Sequence, residues 1–170
     1  MIDEVILVDS GDMEIGSEEK LLAHEKGLLH RAFSVLLFNS QGDFLLQRRA
    51  DSKYHSAGLW SNACCSHPRP SENTKDAVRR RLKEELGISC SCDFHSKFIY
   101  KTAFENGLTE HEFDHVYVGI SDTQPELNPL EASEYRYVST KELKDEIERN
   151  PDSFTYWFKQ ILAQNEYSFT

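Results

Sequence analysis

Residues 73–88 read Asn-Thr-Lys-Asp-Ala-Val-Arg-Arg-Arg-Leu-Lys-Glu-Glu-Leu-Gly-Ile, and residues 60–68 before them read Trp-Ser-Asn-Ala-Cys-Cys-Ser-His-Pro. Residues 71–73 offer N-capping side chains and Gly87 is a typical helix stop, so we predict a helix from Thr74 to Leu86. The segment in front of this helix places Cys65 two residues before His67. We assign the fold from the helix and the Cys-x-His-Pro segment together.

The composition of the 170-residue chain is that of an ordinary globular protein, with 39% apolar and 28% charged residues. We predict a single domain over residues 1–170 with one core. No run of about 18 apolar residues occurs, and the acidic N-terminus lacks the basic flank of a secretory signal, so we expect a cytoplasmic protein. A net charge of −10 argues against nucleic acid or a membrane as partner. We expect a monomer that binds a small anionic substrate through a local basic cluster.

Strands and helices interleave irregularly, which predicts an α+β fold, an α/β/α sandwich rather than a doubly wound sheet. The predicted strands are residues 4–9, 33–38, 44–47, 97–103, 112–121 and 134–138, with a hairpin joining the second and third. Three further helices are predicted, the first capped by Ser17 and ended by Gly27. The second is capped by Thr140 and ends at Arg149, and Asn150-Pro151 opens the last, which carries one apolar stripe that includes Trp157 and Phe158.

The strand around Glu112 directs two carboxylates toward the core. A period of two places Glu110 and Glu112 on the face that also carries Val116, Val118 and Ile120. Buried carboxylates are costly unless they are paired, protonated or bound to a metal. Alternatively the strand end frays and water hydrates both groups, and the strand alone does not decide between these interpretations.

The helix and the segment before it resemble the Nudix box of pyrophosphate-handling enzymes, G-x5-E-x7-R-E-U-x-E-E-x-G-U, in which U is a bulky aliphatic residue. The residues that match in register are Glu72, Arg80, Leu82, Glu84, Glu85, Gly87 and Ile88. Ser66 stands where the box has Gly, and Arg81 where it has the first Glu of R-E-U. Because a Nudix hydrolase needs that carboxylate cluster, Arg81 favours a scaffold that holds a diphosphate without cutting it. Ser66 would be strained if its turn required a positive φ.

Residues 20–157 resemble one branch of that superfamily, the type I isopentenyl-diphosphate:dimethylallyl-diphosphate isomerases. The joint order of several segments carries the resemblance: His24, residues 29–34, 48–53, 58–62 and 65–68, Tyr100, and residues 110–112. It implies a Nudix-like mixed sheet flanked by helices. It also implies an enzyme that interconverts isopentenyl and dimethylallyl diphosphate in isoprenoid precursor synthesis, without an organic cofactor.

The same resemblance implies a metal centre made of three histidines and two carboxylates: His24, His30, His67, Glu110 and Glu112. Such a mixed nitrogen and oxygen set suits one Mn²⁺, Zn²⁺ or Mg²⁺ rather than a cysteine-rich structural zinc. The interval from His24 to His30 is one residue shorter than in the bacterial pattern of the family. The resemblance gives no role to the other histidines, which are His55, His95, His111 and His115.

Isomerisation needs a proton delivered to one alkene carbon and another removed from a neighbouring carbon. By resemblance, Cys65 and Glu112 are the two acid/base groups, and Tyr100 hydrogen-bonds Glu112. Protonation creates a tertiary carbocation, and we expect Trp157 to stabilise it through a cation–π contact worth about 2 kcal/mol when desolvated. Simple core packing is the alternative interpretation of Trp157.

A diphosphate requires neutralising charge, and the residues expected to supply it are Lys20, Arg49, Lys53, Arg81 and Lys83. Glu85 is the box carboxylate expected to hold a Mg²⁺ that bridges the protein to diphosphate oxygens. Two other functions stay open. The first is a Nudix hydrolase of a nucleoside diphosphate derivative, which Arg81 and Ser66 argue against. The second is a non-catalytic Nudix-like binding module, which does not account for Cys65 and Glu112 occurring together with the histidines.

Overall fold

The computed structural model describes residues 2–165 and 167, in which nine strands form one mixed sheet and four helices cover it. The strands are β1 (Glu4–Val8), β2 (Glu14–Glu19), β3 (His30–Phe38), β4 (Phe44–Arg49), β5 (Trp60–Ser61), β6 (Cys64–Ser66), β7 (Cys92–Ala103), β8 (Thr109–Ile120) and β9 (Ala132–Val138). The helices are α1 (Lys20–Lys26), α2 (Thr74–Leu86), α3 (Thr140–Arg149) and α4 (Tyr156–Gln164). The predicted α+β architecture is confirmed. None of the helices in the described part of the chain is long and apolar enough to cross a membrane.

The parallel pair of β3 and β8 organises the sheet around one end. Its register places His30 beside Glu112. On the other edge of β8, Tyr100 of β7 pairs with Glu112, and on β3 Ser34 pairs with Cys65 of β6. Residues far apart in the chain are thereby brought into neighbouring positions at one end of the sheet.

Two apolar cores lie on opposite faces of the sheet. Because successive strand residues point to opposite faces, Val35 and Leu37 face α2, whereas Leu36 and Phe38 face α4. Helix α2 contributes Val78, Leu82 and Leu86 to the first core, and α4 contributes Trp157, Phe158 and Ile161 to the second. Each fully buried side chain of this size stabilises the fold by about 1.5–3 kcal/mol. The result is the predicted three-layer sandwich.

Helix α2 begins and ends where the sequence predicts. The side chain of Asn73 accepts a hydrogen bond from the backbone N–H of Lys75 at 2.9 Å, and Gly87 adopts the left-handed conformation at φ 66. The prediction for α1 is correct only at its end, Gly27. Ser17 was wrong as its cap, because Ser17 lies in β2 and donates to Glu4, while the carboxylate of Glu19 accepts from the first helical N–H groups.

The structure refines four other local predictions. The predicted hairpin of β3 and β4 is present but short, since the two strands pair antiparallel only at Phe38 and Phe44, and β4 pairs with β9 over most of its length. Helix α3 is capped by Ser139 in a capping box with Glu142, not by Thr140, and residues 150–151 lead into a short 3-10 turn before α4. Ser66 is unstrained, since it lies in β6 opposite Phe33 and does not have a positive φ.

Candidate active site and metal centre

A cavity of about 480 Å³ opens at the end of the sheet where β3, β6, β7 and β8 meet. Most of the predicted site residues line it: Lys20, Arg49, Lys53, Cys65, His67, Arg81, Glu85, Tyr100, Glu110, Glu112 and Trp157. His24 and His30 are completely buried beside it, with rings next to that of His67. The cavity is also lined by residues without a predicted role, among them Ser34, Tyr54, His55 and Glu131.

The three predicted metal-binding histidines form one cluster. Ring centroids of His24 and His30 lie 5.0 Å apart, those of His30 and His67 also 5.0 Å, and those of His24 and His67 5.9 Å. The short interval between His24 and His30 therefore still brings both rings together. His24 Nδ1 lies 2.7 Å from the Lys20 carbonyl oxygen and His30 Nδ1 lies 2.9 Å from that of Leu28. Because a carbonyl oxygen only accepts, both Nδ1 atoms carry the proton and donate.

The Nε2 atoms of His24 and His30 are buried without a hydrogen-bond partner. In the neutral rings each presents a lone pair, and each faces a carboxylate: His30 Nε2 is 3.3 Å from Glu112 Oε1, and His24 Nε2 is 3.9 Å from Glu110 Oε2. A lone pair opposite an anion is unfavourable unless a cation, either a proton or a metal ion, lies between them. Burial lowers the pKa of His30, but the Glu112 carboxylate outweighs this effect and raises it. This arrangement fits a metal ion.

The distances agree with the coordination shell of a divalent cation. One ligand atom from each of His24, His30, His67 and Glu112 lies within 4.8 Å of all the others, and His67 Nε2 is 3.0 Å from Glu112 Oε1. With metal–ligand bonds of about 2.1 Å, neighbouring donors of a six-coordinate ion lie about 3.0 Å apart and opposite donors about 4.2 Å. The described residues thus include a histidine and glutamate group that could hold a metal, made of four of the five predicted ligands. Glu110, the fifth, is outside this group and lies 3.9 Å from His24 Nε2.

Glu112 and His67 have the protonation states that metal ligands require. Burial opposes ionisation of Glu112, but the neighbouring imidazoles of His30 and His67 outweigh it and hold its pKa well below the usual range. Burial lowers the pKa of His67 to about 3, so its ring is neutral. A carboxylate and a neutral imidazole are the forms that bind a cation.

Strand alternation separates the two adjacent cysteines. Cys64 is fully buried in the core under α2, whereas Cys65 lines the cavity. The Cys65 thiol donates to Asn62 Oδ1 at 3.0 Å and lies 3.5 Å from the Ser34 hydroxyl, which in turn donates to the buried Asp114 at 2.8 Å. Burial, and then the nearby Asp114, raises the pKa of the Cys65 thiol. Cys65 is the cysteine that a substrate in the cavity can reach.

Tyr100 links the two carboxylates of β8. Its hydroxyl contacts Glu110 Oε1 and lies 2.7 Å from Glu112 Oε2. A phenol has one proton, so it donates to one carboxylate at a time. The predicted hydrogen bond between Tyr100 and Glu112 is therefore present.

At the other end of the cavity, cations and carboxylates are paired. Arg81 Nη2 donates to Glu85 Oε1 at 2.7 Å and to Glu131 Oε1 at 3.0 Å, and Lys53 donates to Glu131 Oε2 at 2.8 Å. Gln47 Nε2 donates to the other oxygen of the buried Glu85 at 3.0 Å. Glu131 lies in the loop before β9, and its place beside Arg81 arises from a tertiary contact between residues 50 apart in sequence.

Two substrate-binding predictions are changed by the structure. Lys83 does not line the cavity, because its ammonium group points along α2 to the Gly87 carbonyl oxygen at 3.4 Å. Trp157 lines the cavity, but the guanidinium carbon of Arg49 lies over its ring, 5.0 Å from the centroid. Part of its aromatic surface is thus already used by a cation of the protein.

Comparison with known sequences identifies one family. Residues 28–158 match the family model of the NUDIX domain. The chain is 51% identical to the isopentenyl-diphosphate Delta-isomerase of Serratia proteamaculans over 162 residues, covering 95% of this chain and 90% of that protein. It is 49% identical to isopentenyl-diphosphate Delta-isomerase 2 of Aromatoleum aromaticum over 162 residues, covering 95% of this chain and 86% of that protein.

Solved structures share the fold. DR0079 from Deinococcus radiodurans superposes with a TM-score of 0.78 at 22% identity, covering 95% of this chain and 98% of that one. The MutT protein of Methanosarcina mazei gives a TM-score of 0.66 at 22% identity, covering 80% of this chain and 91% of that one. The predicted Nudix-like sheet is thereby confirmed.

Proposed function

The chain belongs to the isopentenyl-diphosphate Delta-isomerases of the NUDIX-domain family, and we propose that the cavity at the end of its sheet carries out their reaction through Cys65 and Glu112. The reaction interconverts isopentenyl diphosphate and dimethylallyl diphosphate. The observation that carries the proposal is that Cys65, Tyr100 and Glu112 line one cavity whose other end is lined by Lys53 and Arg81. The cavity thus offers acid/base groups for the hydrocarbon and cations for the diphosphate.

The proton transfers need two groups in contact with the alkene. A proton adds to the terminal carbon of the double bond and leaves a tertiary cation, and loss of a proton from the neighbouring methylene moves the double bond inward. Cys65 and Glu112 are the groups we assign to these transfers, with the Tyr100 hydroxyl passing or holding a proton beside Glu112. Because the reaction is an interconversion, the group that donates in one direction accepts in the other.

Positive charge next to the Glu112 carboxylate must keep it in position for the proton transfers. A divalent cation at the histidine cluster supplies fixed positive charge when bound. The residues that would hold it are His24, His30, His67 and Glu112, together with Glu110 next to His24. Mn²⁺, Zn²⁺ and Mg²⁺ all suit this donor set. Tyr100 restrains both carboxylates from the opposite side through its hydroxyl group.

The diphosphate is an anchor in this mechanism, since the chemistry takes place at carbon. Lys20, Arg49, Lys53 and Arg81 line the cavity and would neutralise phosphate oxygens. Glu85 would hold a Mg²⁺ that supplies further positive charge to the diphosphate. Trp157 and the apolar side chains beneath it exclude water, which would otherwise trap the cation as an alcohol.

We propose that the protein is a cytoplasmic monomer that binds a small diphosphate and binds neither nucleic acid nor a membrane. The net charge of −10 supports the absence of nucleic acid and membrane partners, because it opposes binding to other polyanions. The cations that bind the substrate are confined to the cavity.

The function is tested by incubating the protein with isopentenyl diphosphate and Mg²⁺ and measuring acid-labile product, since allylic diphosphates solvolyse readily in acid. We expect acid-labile product to accumulate without release of phosphate or pyrophosphate. A parallel panel of nucleoside diphosphate derivatives tests the hydrolase alternative. Phosphate release from that panel, together with no acid-labile product, would contradict the proposal.

Replacing Arg81 by Glu should raise the KM for isopentenyl diphosphate about tenfold or more without creating a hydrolase. The substitution reverses a charge beside Glu85 and Glu131, and one lost charge-assisted contact costs about 1.5–3 kcal/mol. Steady-state kinetics and a phosphate-release assay measure the two effects. Arg79→Glu is the matched control, because Arg79 is an exposed residue of the same helix that pairs only weakly with Asp76 at 3.6 Å. An unchanged KM in Arg81→Glu, or release of phosphate, would show that α2 does not hold the diphosphate in this way.

A further inference from the structure

His55 is a buried histidine to which the resemblance gives no role. It lies in the loop between β4 and β5, is only 7% exposed, and lines the cavity. Its Nε2 atom is 3.1 Å from Glu110 Oε2. His55 is therefore the nearest imidazole to the carboxylate that His24 approaches only to 3.9 Å.

The surroundings of His55 hold the ring in one orientation. The ring stacks on Phe104 with centroids 4.4 Å apart and an interplanar angle of 10°, and Trp157 contacts it edge-on at 5.7 Å. Its Nδ1 atom lies 3.0 Å from the hydroxyl of Ser56. Ser56 has a φ of 53, a left-handed conformation that is uncommon for a residue with a side chain. Strained backbone of this kind persists where the surrounding structure fixes it, and it clusters at functional sites.

His55, His24 and Glu110 form a second group with metal-binding geometry. One ligand atom from each lies within 4.8 Å of the others. This group shares His24 with the group of His30, His67 and Glu112. His24 has only Nε2 free, because Nδ1 donates to the Lys20 carbonyl oxygen at 2.7 Å, and one nitrogen lone pair binds one ion. An ion at His24 Nε2 would therefore be shared by both groups. Their donor atoms do not all lie within 4.8 Å of one another, so a shell that includes both groups closes only when side chains move toward the ion.

We infer that His55 is an additional ligand of the ion at this centre, which gives it four imidazoles and two carboxylates. The inference rests on the metal centre of the proposed function. The contact of 3.1 Å between His55 Nε2 and Glu110 Oε2 equals the spacing of neighbouring donors around a six-coordinate ion, about 3.0 Å. Six protein donors leave no position for water or substrate, unlike the open position of a catalytic zinc site. The ion would then orient Glu110 and Glu112 and would not bind the substrate directly.

A metal ligand and a simple hydrogen-bond donor differ in where the His55 proton lies. As a ligand, His55 has its proton on Nδ1, donates to Ser56 Oγ, and gives its Nε2 lone pair to the ion. As a donor to Glu110, it has its proton on Nε2, and the Ser56 hydroxyl donates to Nδ1. Nitrogen-15 spectra of histidine rings separate these two tautomers.

The test is to label the histidine rings with nitrogen-15 and to add Zn²⁺ to the metal-free full-length protein. We expect four rings to show metal-bound Nε2 signals and Nδ1 protons, with one of them absent in His55→Gln. Three metal-bound rings and a His55 that keeps a proton on Nε2 would overturn the inference and leave the metal centre of the proposed function intact. No metal-bound ring at all would overturn both. The wild-type spectrum gives this count even if the variant does not fold.

The affinity for Zn²⁺, measured by competition with a chelator, provides an independent readout. We expect His55→Gln to bind Zn²⁺ at least tenfold more weakly than the wild type. His95→Gln is the matched control, because His95 is exposed and contacts Ser96 at 3.0 Å, away from the centre. Equal affinities of the wild type and a folded His55→Gln protein would also overturn the inference.

Discussion

Replacing Cys65 by Ala should lower kcat for isopentenyl diphosphate by roughly 10²–10⁴-fold, the usual contribution of a positioned acid or base. Its thiol lines the cavity, held between Asn62 at 3.0 Å and Ser34 at 3.5 Å. Alanine keeps the backbone of β6 and removes only the group that exchanges the proton. Glu112→Gln should have an effect of similar size, because the amide cannot take up a proton. Measuring kcat and KM separately shows whether the loss lies in the chemical step.

Cys64→Ala provides the control for that experiment. Cys64 is adjacent in sequence and completely buried, but it faces the core under α2 and not the cavity. Its loss should reduce stability modestly and leave most of kcat in place. Near-wild-type turnover by the Cys65→Ala protein would disprove the assignment. A comparable loss in both variants would mean that packing around β6 is what the substitutions disturb.

Replacing His67 by Ala should remove the tightly bound metal and the stability that comes with it. His67 Nε2 contacts Glu112 Oε1 at 3.0 Å, so its loss leaves two buried carboxylates with fewer compensating partners. An ion present at 100 times its dissociation constant stabilises the native state by about 2.7 kcal/mol. In a chain of this length that corresponds to roughly 5–10 °C in Tm. The wild type should show this rise when metal is added, and His67→Ala should not.

Elemental analysis of the purified proteins checks the same point directly. We expect about one ion per chain in the wild type and in His95→Ala, whose side chain is exposed, and far less in His67→Ala. Full metal content in a folded His67→Ala protein would rule out the proposed ligand set. A Tm that rises equally with metal in both proteins would do the same.

Local sequence signals predicted those elements that local interactions determine. Helix α2 has both a capping side chain, Asn73, and a terminating glycine, Gly87, and its limits were correct. The sequence predicts the start of a helix at the end of β2, because Ser17 precedes two glutamates in a typical capping pattern. The strand conformation of β2 depends on pairing with β1, a partner that composition does not reveal. The same holds for β4, whose main partner β9 is about 90 residues away.

The site residues that the family resemblance names could be predicted from the sequence. Residues that only tertiary contacts bring to the site could be predicted less well. Lys83 could have been excluded from the sequence, since it lies about 200° from Arg81 around the helix, whereas Glu85 shares the face of Arg81. His55 and Glu131 gave no comparable signal. Each lies in a loop, and each reaches the site only because distant strands bring Glu110 or Arg81 beside it.

The pairing of Glu131 with Lys53 and Arg81 changes what substrate binding means energetically. Both cations already have a carboxylate partner, at 2.8 and 3.0 Å. A diphosphate therefore enters by exchanging one anion for another, and its affinity is the difference between two attractions to the same cations. Salt screens both attractions, so the difference changes less with ionic strength than binding to bare cations would. The exchange also selects ligands by charge. An anion with less charge than a diphosphate is attracted too weakly to displace Glu131 from Lys53 and Arg81 at once.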